Sequence, residues 1–464
     1  MSDSAILSTS SSRSAALSIF LAGIKAADPY SAVKGCLSSD DQNITIRLSL
    51  DDATQIRTGQ WSKIHIIAIG KAACAMSKAA QEIIPVHLLS VPSIAVTNYE
   101  NVTKVAQTNV IGAGHPLPDQ NGYHAAHYCA EQLNRAQKNE LVLVLVSGGG
   151  SALIPYPADA ISLQEKITTT DLLLACGATI NEINCVRKHL SKLKGGGFSR
   201  LAAPADIHAF ILSDVLGDDL SSIASGPTVP DPSTYNDAIA IFNDYGIWDQ
   251  VPYKVQQHLE QGQLGNVQET PKADDIIFNN CTQTLIGSNT ISLNAAINSA
   301  AQLGYQTQLY DAHLCGEART AAQTWVLAAK QLRNTGINHT LALVAGGETT
   351  VSLKGTGRGG RNQEMALAFM LAAQQHDLTG NWTFLSGGTD GRDGPTDAAG
   401  GIVDQSSLAR MLQAGLDPQA LLNNNDSYTA LQGSQDLLIT GATGTNVADL
   451  QVLLLHPTVI PTLL

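Results

Sequence analysis

A chain of 464 residues, 44% of them apolar, can bury sizeable cores in two or three domains, which excludes wholesale disorder. Its formal net charge of −13, without any long basic run, excludes nucleic acid and anionic membrane surfaces as partners. Seven cysteines without CxxC spacing or a Cys/His cluster fit reduced thiols better than a disulfide framework or structural zinc. No apolar stretch approaches the roughly 20 residues that a membrane-spanning helix needs. The serine-rich start, residues 1–13, makes a poor secretory signal; it reads as a disordered tail, and the expected location is cytoplasmic.

In chain order, Ser14–Ala27 has helical apolar spacing and should stop before Asp28-Pro29. Strands are expected at Ile64–Ile69, Ser93–Thr97, Leu141–Val146 and His208–Leu212, with helical crossovers between them. Such continuous apolar runs are the mark of parallel strands buried on both faces. The stretch from Asp218 to about Ala273 is richer in polar residues and reads in part as a covering segment and linker. A second series then places strands at Thr284–Gly287, Thr307–Tyr310, Thr340–Val344, Trp382–Leu385 and Asp436–Ile439. Helices are expected around Ser292–Leu303, Arg319–Leu332 and Asn362–Gln374. The resulting expectation is an α/β chain: a tail at 1–13, an N-terminal domain at 14–273 and a C-terminal domain at 274–464.

Strands in both halves end in small, hydroxyl or acidic residues: Ser147-Gly148-Gly149-Gly150-Ser151, Ser213-Asp214, Ala345-Gly346-Gly347-Glu348 and Ser386-Gly-Gly-Thr-Asp390. Ligands of open parallel sheets bind beyond the carboxyl ends of the strands, so these loops are where chemistry is expected. Consecutive N–H groups in Ser147–Ser151, ahead of a helix start, suit a phosphate or carboxylate. Lys71, just past the first strand, is a candidate anion clamp. Arg187-Lys188-His189 with Lys192 and Lys194 forms the densest basic patch, either steering anions or standing as a solvated face. Gly355–Gly360 matches GxGxxG, which invites a dinucleotide, but the next strand ends in Ser386-Gly387 rather than in an acid for a ribose. Arg358 and Arg361 beside it suit phosphate or carboxylate oxygens. Asp390, Asp393 and Asp397 crowd one loop, and a Mg2+ shared with substrate phosphates would relieve their repulsion.

The order of these motifs resembles the class II glycerate kinases, the family with a C-terminal MOFRL domain, some of whose members have been labelled hydroxypyruvate reductase. The carrying segments include IGKAA at Ile69–Ala73, GHPLPD at Gly114–Asp119, VSGGGSAL at Val146–Leu153 and NCVRKHLSKLKGG at Asn184–Gly196. They continue with LSDVLGDD from Leu212, GGETTVSLKGTGRGGRNQE at Gly346–Glu364, GGTDGRDGPTDAAG at Gly387–Gly400 and TGATGTNVADL at Thr440–Leu450. The resemblance implies two Rossmann-like parallel-sheet domains with the active site in the interdomain cleft, the MOFRL segment covering about 340–455. It implies transfer of the γ-phosphoryl group of ATP to D-glycerate with Mg2+, giving 2-phosphoglycerate, with 3-phosphoglycerate as the other regiochemical outcome. Lys71 and Arg361 would be the principal charge-stabilising pair, Asp214 the base, and Asp390 with Asp393 the metal ligands. Substrate and nucleotide contacts would come from Ser147, Gly148, Gly149, Gly150, Ser151, Arg187, Lys188, Glu348, Gly357, Gly359, Asn362 and Asn446. Arg392 and Ala442 depart from the family pattern without removing a reactive group. The expected partner is the small substrate, with a homodimer left open. An NAD(P)H-dependent hydroxypyruvate reductase and a non-catalytic small-anion-binding protein are the competing readings.

Overall fold

The computed structural model describes residues 3–40 and 42–457, and it divides into two compact units. One comprises Pro29–Ile286; the other joins Met1–Asp28 to Gly287–Leu464. The first 28 residues thus belong with the C-terminal half, and the exchange between units falls at 286/287 rather than 273/274. The opening helix runs Asp3–Ala26, so most of the expected tail is helical; positions 1–2 and 458–464 lie outside the described residues.

In Pro29–Ile286 a small antiparallel sheet, β1 (Leu37–Ser39), β2 (Ile44–Arg47) and β3 (Ile56–Gly59), precedes the main one. The main sheet comprises β4 (Ile64–Ile69), β5 (Ser93–Asn98), β6 (Thr108–Ala113), β7 (Leu141–Val146), β8 (Asp206–Leu212) and β9 (Cys281–Gly287), in the order β6-β5-β4-β7-β8-β9. The pairs from β6 across to β8 are parallel. This is the doubly wound order. Each strand feeds both faces: Ile64, Ile66 and Ala68 with Leu141, Leu143 and Leu145 pack one core, while Ile67, Ile69, Val142, Val144 and Val146 pack the other. The stretch expected to be linker instead holds helices Tyr235–Asp244 and Tyr253–Gln263. Phe242, Val255 and Leu259 close a further core with Ile183 and Val186. A Thr234/Asp237 capping box starts the first of these helices, a local signal that the polar composition of the stretch conceals.

The other unit's sheet comprises β10 (Gln306–Leu314), β11 (Leu341–Gly347), β12 (Trp382–Gly388), β13 (Gly400–Asp404), β14 (Leu437–Leu438) and β15 (Asp449–Leu455). Its order is β10-β11-β15-β12-β13-β14, and every pairing except β10–β11 is antiparallel. The expectation of a second parallel sheet is therefore corrected: the last strand inserts between β11 and β12 and runs against both. A continuous apolar run such as DLQVLLL reports burial on both faces, and that reads the same in either direction. Helices Asp3–Ala26 and Asn289–Gln302 bring Ile19, Phe20, Leu293 and Ala296 onto one face, against Val344, Val452 and Leu454. Trp325, Met365 and Phe369 cover the other face. Among the described residues no helix is long and apolar enough to cross a membrane.

Candidate active site

The strand order of Pro29–Ile286 reverses between β4 and β7, and their carboxyl ends are locked together. Ser147 N–H donates to Ile69 O (2.9 Å), Lys71 N–H to Gly148 O (2.9 Å) and Ala72 N–H to Ser147 Oγ (3.0 Å). The lock requires glycine at 70, where φ is +116° and a methyl group would come within 2.3 Å of Ser147 O. A crevice opens at such a switch point. Methyl groups at the next two glycines show what lines it: at Gly148 one would meet Asp214 Oδ2 (2.2 Å), and at Gly149 the His115 ring (2.9 Å) and Lys71 Cε (3.6 Å). Lys71, His115 and Asp214, carried on the ends of three strands, therefore gather around one two-glycine backbone. Lys71 makes no ion pair among the described residues. Burial, and then the nearby Lys71 charge, hold the His115 imidazole below its usual range, so it is neutral at pH 7.

Beside Gly149 lies a pocket of ≈ 370 Å³ bordered by Ser151, Lys166, Arg187 and Lys194. Lys194 is 2% exposed and donates to Ser151 O (2.8 Å) and Ser151 Oγ (2.7 Å). Lys166 is 6% exposed and reaches Leu190 O (2.8 Å). None of these three cations has a carboxylate partner among the described residues. Burial, followed by the Arg187 charge, pushes Lys166 down to about 7. Burial, followed by Lys166 and Arg187, holds Lys194 well below the lysine range. A cluster of buried like charges is unfavourable until an anion enters.

In the other unit, β15 places Asp449 opposite both Gly347 and Gly388, at the end of the sheet where Glu348 and Asp390 follow β11 and β12. Arg361 begins helix Arg361–Gln375 and grips Asp449 bidentately, Nε–Oδ2 2.6 Å and Nη2–Oδ1 3.0 Å. Its Nη1 reaches Glu348 Oε1 (2.9 Å). Burial raises the Asp449 carboxyl to about 6 even against the bidentate Arg361 guanidinium, which leaves the pair ionised at pH 7. Glu348, nearly half exposed, is the partner that an incoming anion can displace.

Several expected site residues have other work. Ser147 is 1% exposed and serves as the brace just described. Lys188 is turned inward onto Asp231 (3.3 Å), a carboxylate that also accepts Ser233 Oγ and Thr270 Oγ1. Gly357 and Gly359 are small because Asn424–Ser427 packs on them: methyl groups there would meet Asp426 Cβ (2.4 Å) and Ser427 Oγ (2.1 Å). The GxGxxG is thus a packing motif of its own unit. Asn362, 1% exposed, is held by Ser386 Oγ (2.6 Å), and Asn446 closes a local turn onto Ala448 N–H. Asp393 caps helix Arg361–Gln375, its two oxygens accepting N–H from Asn362 (3.1 Å) and Gln363 (2.8 Å). Among the described residues no three His, Cys, Asp or Glu side chains form a metal-holding group. Of the other two carboxylates of the Asp393 loop, Asp390 is partly buried, and Asp397 is exposed and accepts from the Tyr428 hydroxyl (2.8 Å). The sequence reading missed His115, Lys166 and Asp449 as site residues; His115 and Asp449 lie inside the GHPLPD and TGATGTNVADL segments, whereas Lys166 stands outside every motif, on the buried face of helix Leu163–Ala175.

The doubly wound sheet and its switch-point loops define an α/β enzyme equipped to receive small anions. Family profiles match along the chain: DUF4147, a domain of unknown function, over residues 15–260, and the MOFRL family over 341–449. A glycerate 2-kinase of Pyrococcus horikoshii is 42% identical over 427 residues, 91% of this chain and 93% of that protein. A crystal structure of glycerate kinase from Thermotoga maritima superposes with a TM-score of 0.83 at 37% identity, covering 96% of this chain and all of the other. An Agrobacterium vitis protein, 40% identical over 394 residues (84% of this chain, 86% of its own), carries a provisional hydroxypyruvate reductase name. The chain belongs to the class II glycerate kinase family.

Proposed function

We propose that the chain transfers the γ-phosphoryl group of ATP to D-glycerate, giving 2-phosphoglycerate and ADP. The convergence of Lys71, His115 and Asp214 on Gly148–Gly149 carries this reading, with the family membership behind it. A glycerate hydroxyl oxygen forms the new bond to phosphorus and gives its proton to Asp214. The bond from phosphorus to the bridging oxygen breaks, and ADP leaves with the electron pair. Lys71 and the Gly149–Ser151 N–H groups neutralise charge on the phosphoryl oxygens, and Arg361, released by Glu348, does the same for an anionic group of the reactants. Asp390, partly buried just past β12, would hold a Mg2+ as its one carboxylate together with substrate phosphates, and the ion would supply neutralisation of phosphate charge when bound. The packed glycines of Gly355–Gly360 leave a nicotinamide dinucleotide no pyrophosphate loop there, which weighs against the reductase reading.

Product from D-glycerate and ATP should give the ³¹P NMR signal of 2-phosphoglycerate. Lys71→Ala should lose about 10²–10³ in kcat while remaining folded, and Arg361→Ala, which also strands the buried Asp449 carboxylate, should lose as much in its folded fraction while melting earlier. Folded variants with full turnover would overturn these roles. NADH oxidation with hydroxypyruvate, in the absence of ADP release from glycerate and ATP, would overturn the kinase reading.

A further inference from the structure

We propose that the pocket beside Gly149 is the subsite for the nucleotide of the phosphoryl donor, its phosphates on Lys166, Arg187 and Lys194 and its base on the apolar wall opposite. Only the identity of the donor rests on the kinase reading; the fit of a polyanion with a flat apolar body rests on the pocket itself.

Three observations converge. The first is charge. Three cations border one pocket of a chain whose net charge is −13, and they form no ion pair among the described residues. A single carboxylate would leave two of them uncompensated, whereas a di- or triphosphate matches the set. Asp171, also on the lining, is exposed and pairs with none of them. The suppressed ammonium charges of Lys166 and Lys194 agree with a cluster that gains protons as an anion arrives.

The second is size and wall chemistry. At ≈ 370 Å³ the pocket is of the class that holds drug-sized ligands, much larger than a three-carbon acid requires. Leu163, Ile167 and Leu174 stand at i, i+4 and i+11 of helix Leu163–Ala175, on the face that also carries Lys166 and Thr170. Leu174 is 57% exposed, and Leu117 on the same lining is 66% exposed. Such apolar surface at the mouth of a cationic pocket suits a ring system and not a hydrated acid.

The third is continuity. Gly149 and His115 belong both to this lining and to the group that surrounds Lys71, so a chain of phosphates starting on Lys194 ends at the switch-point loop. Ser151, held by Lys194 and by Ser225 Oγ (3.0 Å), spans the interval.

Calorimetric titration of the full chain with ADP, inorganic tripolyphosphate and D-glycerate tests the proposal. Arg187→Met should weaken ADP and tripolyphosphate at least tenfold each and leave glycerate within twofold. Leu174→Asn and Ile167→Asn, neutral changes on the partly exposed wall that should leave folding intact, should weaken ADP about tenfold and leave tripolyphosphate unchanged. Unaltered ADP binding in all three variants would overturn the proposal. So would a loss confined to D-glycerate, which would make the pocket the acceptor site and leave the kinase reading in place. Wild-type protein that binds ADP through these residues yet never phosphorylates glycerate would sustain this subsite and overturn the proposed function.

Discussion

Gly70 and Lys188 show at the scale of single residues how near neighbours in a motif divide their labour. Gly70 exists for a positive φ and for the 2.3 Å that separates a would-be methyl from Ser147 O. Gly70→Ala should therefore cost about 2–4 kcal/mol and displace Lys71, so that the unfolding midpoint and kcat fall together. A variant with wild-type melting would show that the lock is dispensable. Lys188 is the opposite case. Removing one partner of a buried pair costs about 3–5 kcal/mol, so Lys188→Met should unfold earlier while its folded fraction keeps kcat within about twofold. A selective loss of turnover at unchanged stability would return Lys188 to the site. Both residues sit in recognisable motifs, and NCVRKHLSKLKGG announced a cationic patch. It could not announce that Lys188 and Lys192 turn to Asp231 and Asp159 while Lys194 and Arg187 face a pocket, because the partners lie at least 33 positions away in the chain.

Two helices illustrate the scale of the element. Helix Arg361–Gln375 presents Arg361 to Asp449 at its first residue, and its orientation depends on Asp393 accepting the N–H groups of Asn362 and Gln363. Asp393→Ala should cost about 1–2 kcal/mol, as loss of a cap does, whereas Asp390→Asn should raise the Mg2+ concentration for half-maximal turnover without moving Tm. Reversal of these two phenotypes would reverse the assignments. Helix Ile180–His189 ends on a ring whose protonation burial opposes. Hydrogen bonds to Cys185 O (2.8 Å) and Glu269 (2.9 Å) prevail and push His189 up to about 9. Burial likewise works against the charge of Glu269, but His189 and the Thr270 N–H hold it down to about 2. The stabilisation from His189 is whole below its unfolded value of 6.5 and is lost as pH rises through about 9. That from Glu269 is whole above 4.5 and is lost as pH falls through about 2. Denaturant unfolding of the wild type should weaken between pH 6.5 and 9.5, and His189→Gln should flatten that decline. An identical slope in the variant would exclude the pair as its cause.

At the scale of the whole molecule, the chain begins in one unit, leaves it at Asp28, builds Pro29–Ile286 and returns at Gly287. The opening helix is integral to the unit it starts. Ile19 and Phe20 are fully buried against its sheet, and Arg13 bridges Asp404 (2.7 Å) and Asp436 (2.8 Å), two carboxylates it shares with Arg410. Phe20→Ala should cost about 3–5 kcal/mol, read by calorimetry as a lower transition for that unit. Residues 287–464 expressed alone should fail to melt cooperatively, and joining residues 1–28 ahead of them should restore the transition. Cooperative unfolding of 287–464 without the helix would refute this dependence.

Apolar runs and their flanking glycines, read alone, determined most of the strands of Pro29–Ile286. Ile64–Ile69 and Leu141–Val146 match to the residue, because a strand buried on both faces is almost wholly apolar and the glycines that follow each run mark its end. The same reading located the strand-end loops and the cationic segment. Only the tertiary structure decided that β15 runs antiparallel between β11 and β12, that GxGxxG is a packing surface, and that the opening helix folds with the far end of the chain. Local pattern reports which faces are buried; pairing direction, the partner of a charge and the neighbour that crowds a glycine come from residues brought close only by folding. The glycine- and aspartate-rich loops could be seen in the sequence, but their gathering around Gly148–Gly149 could not.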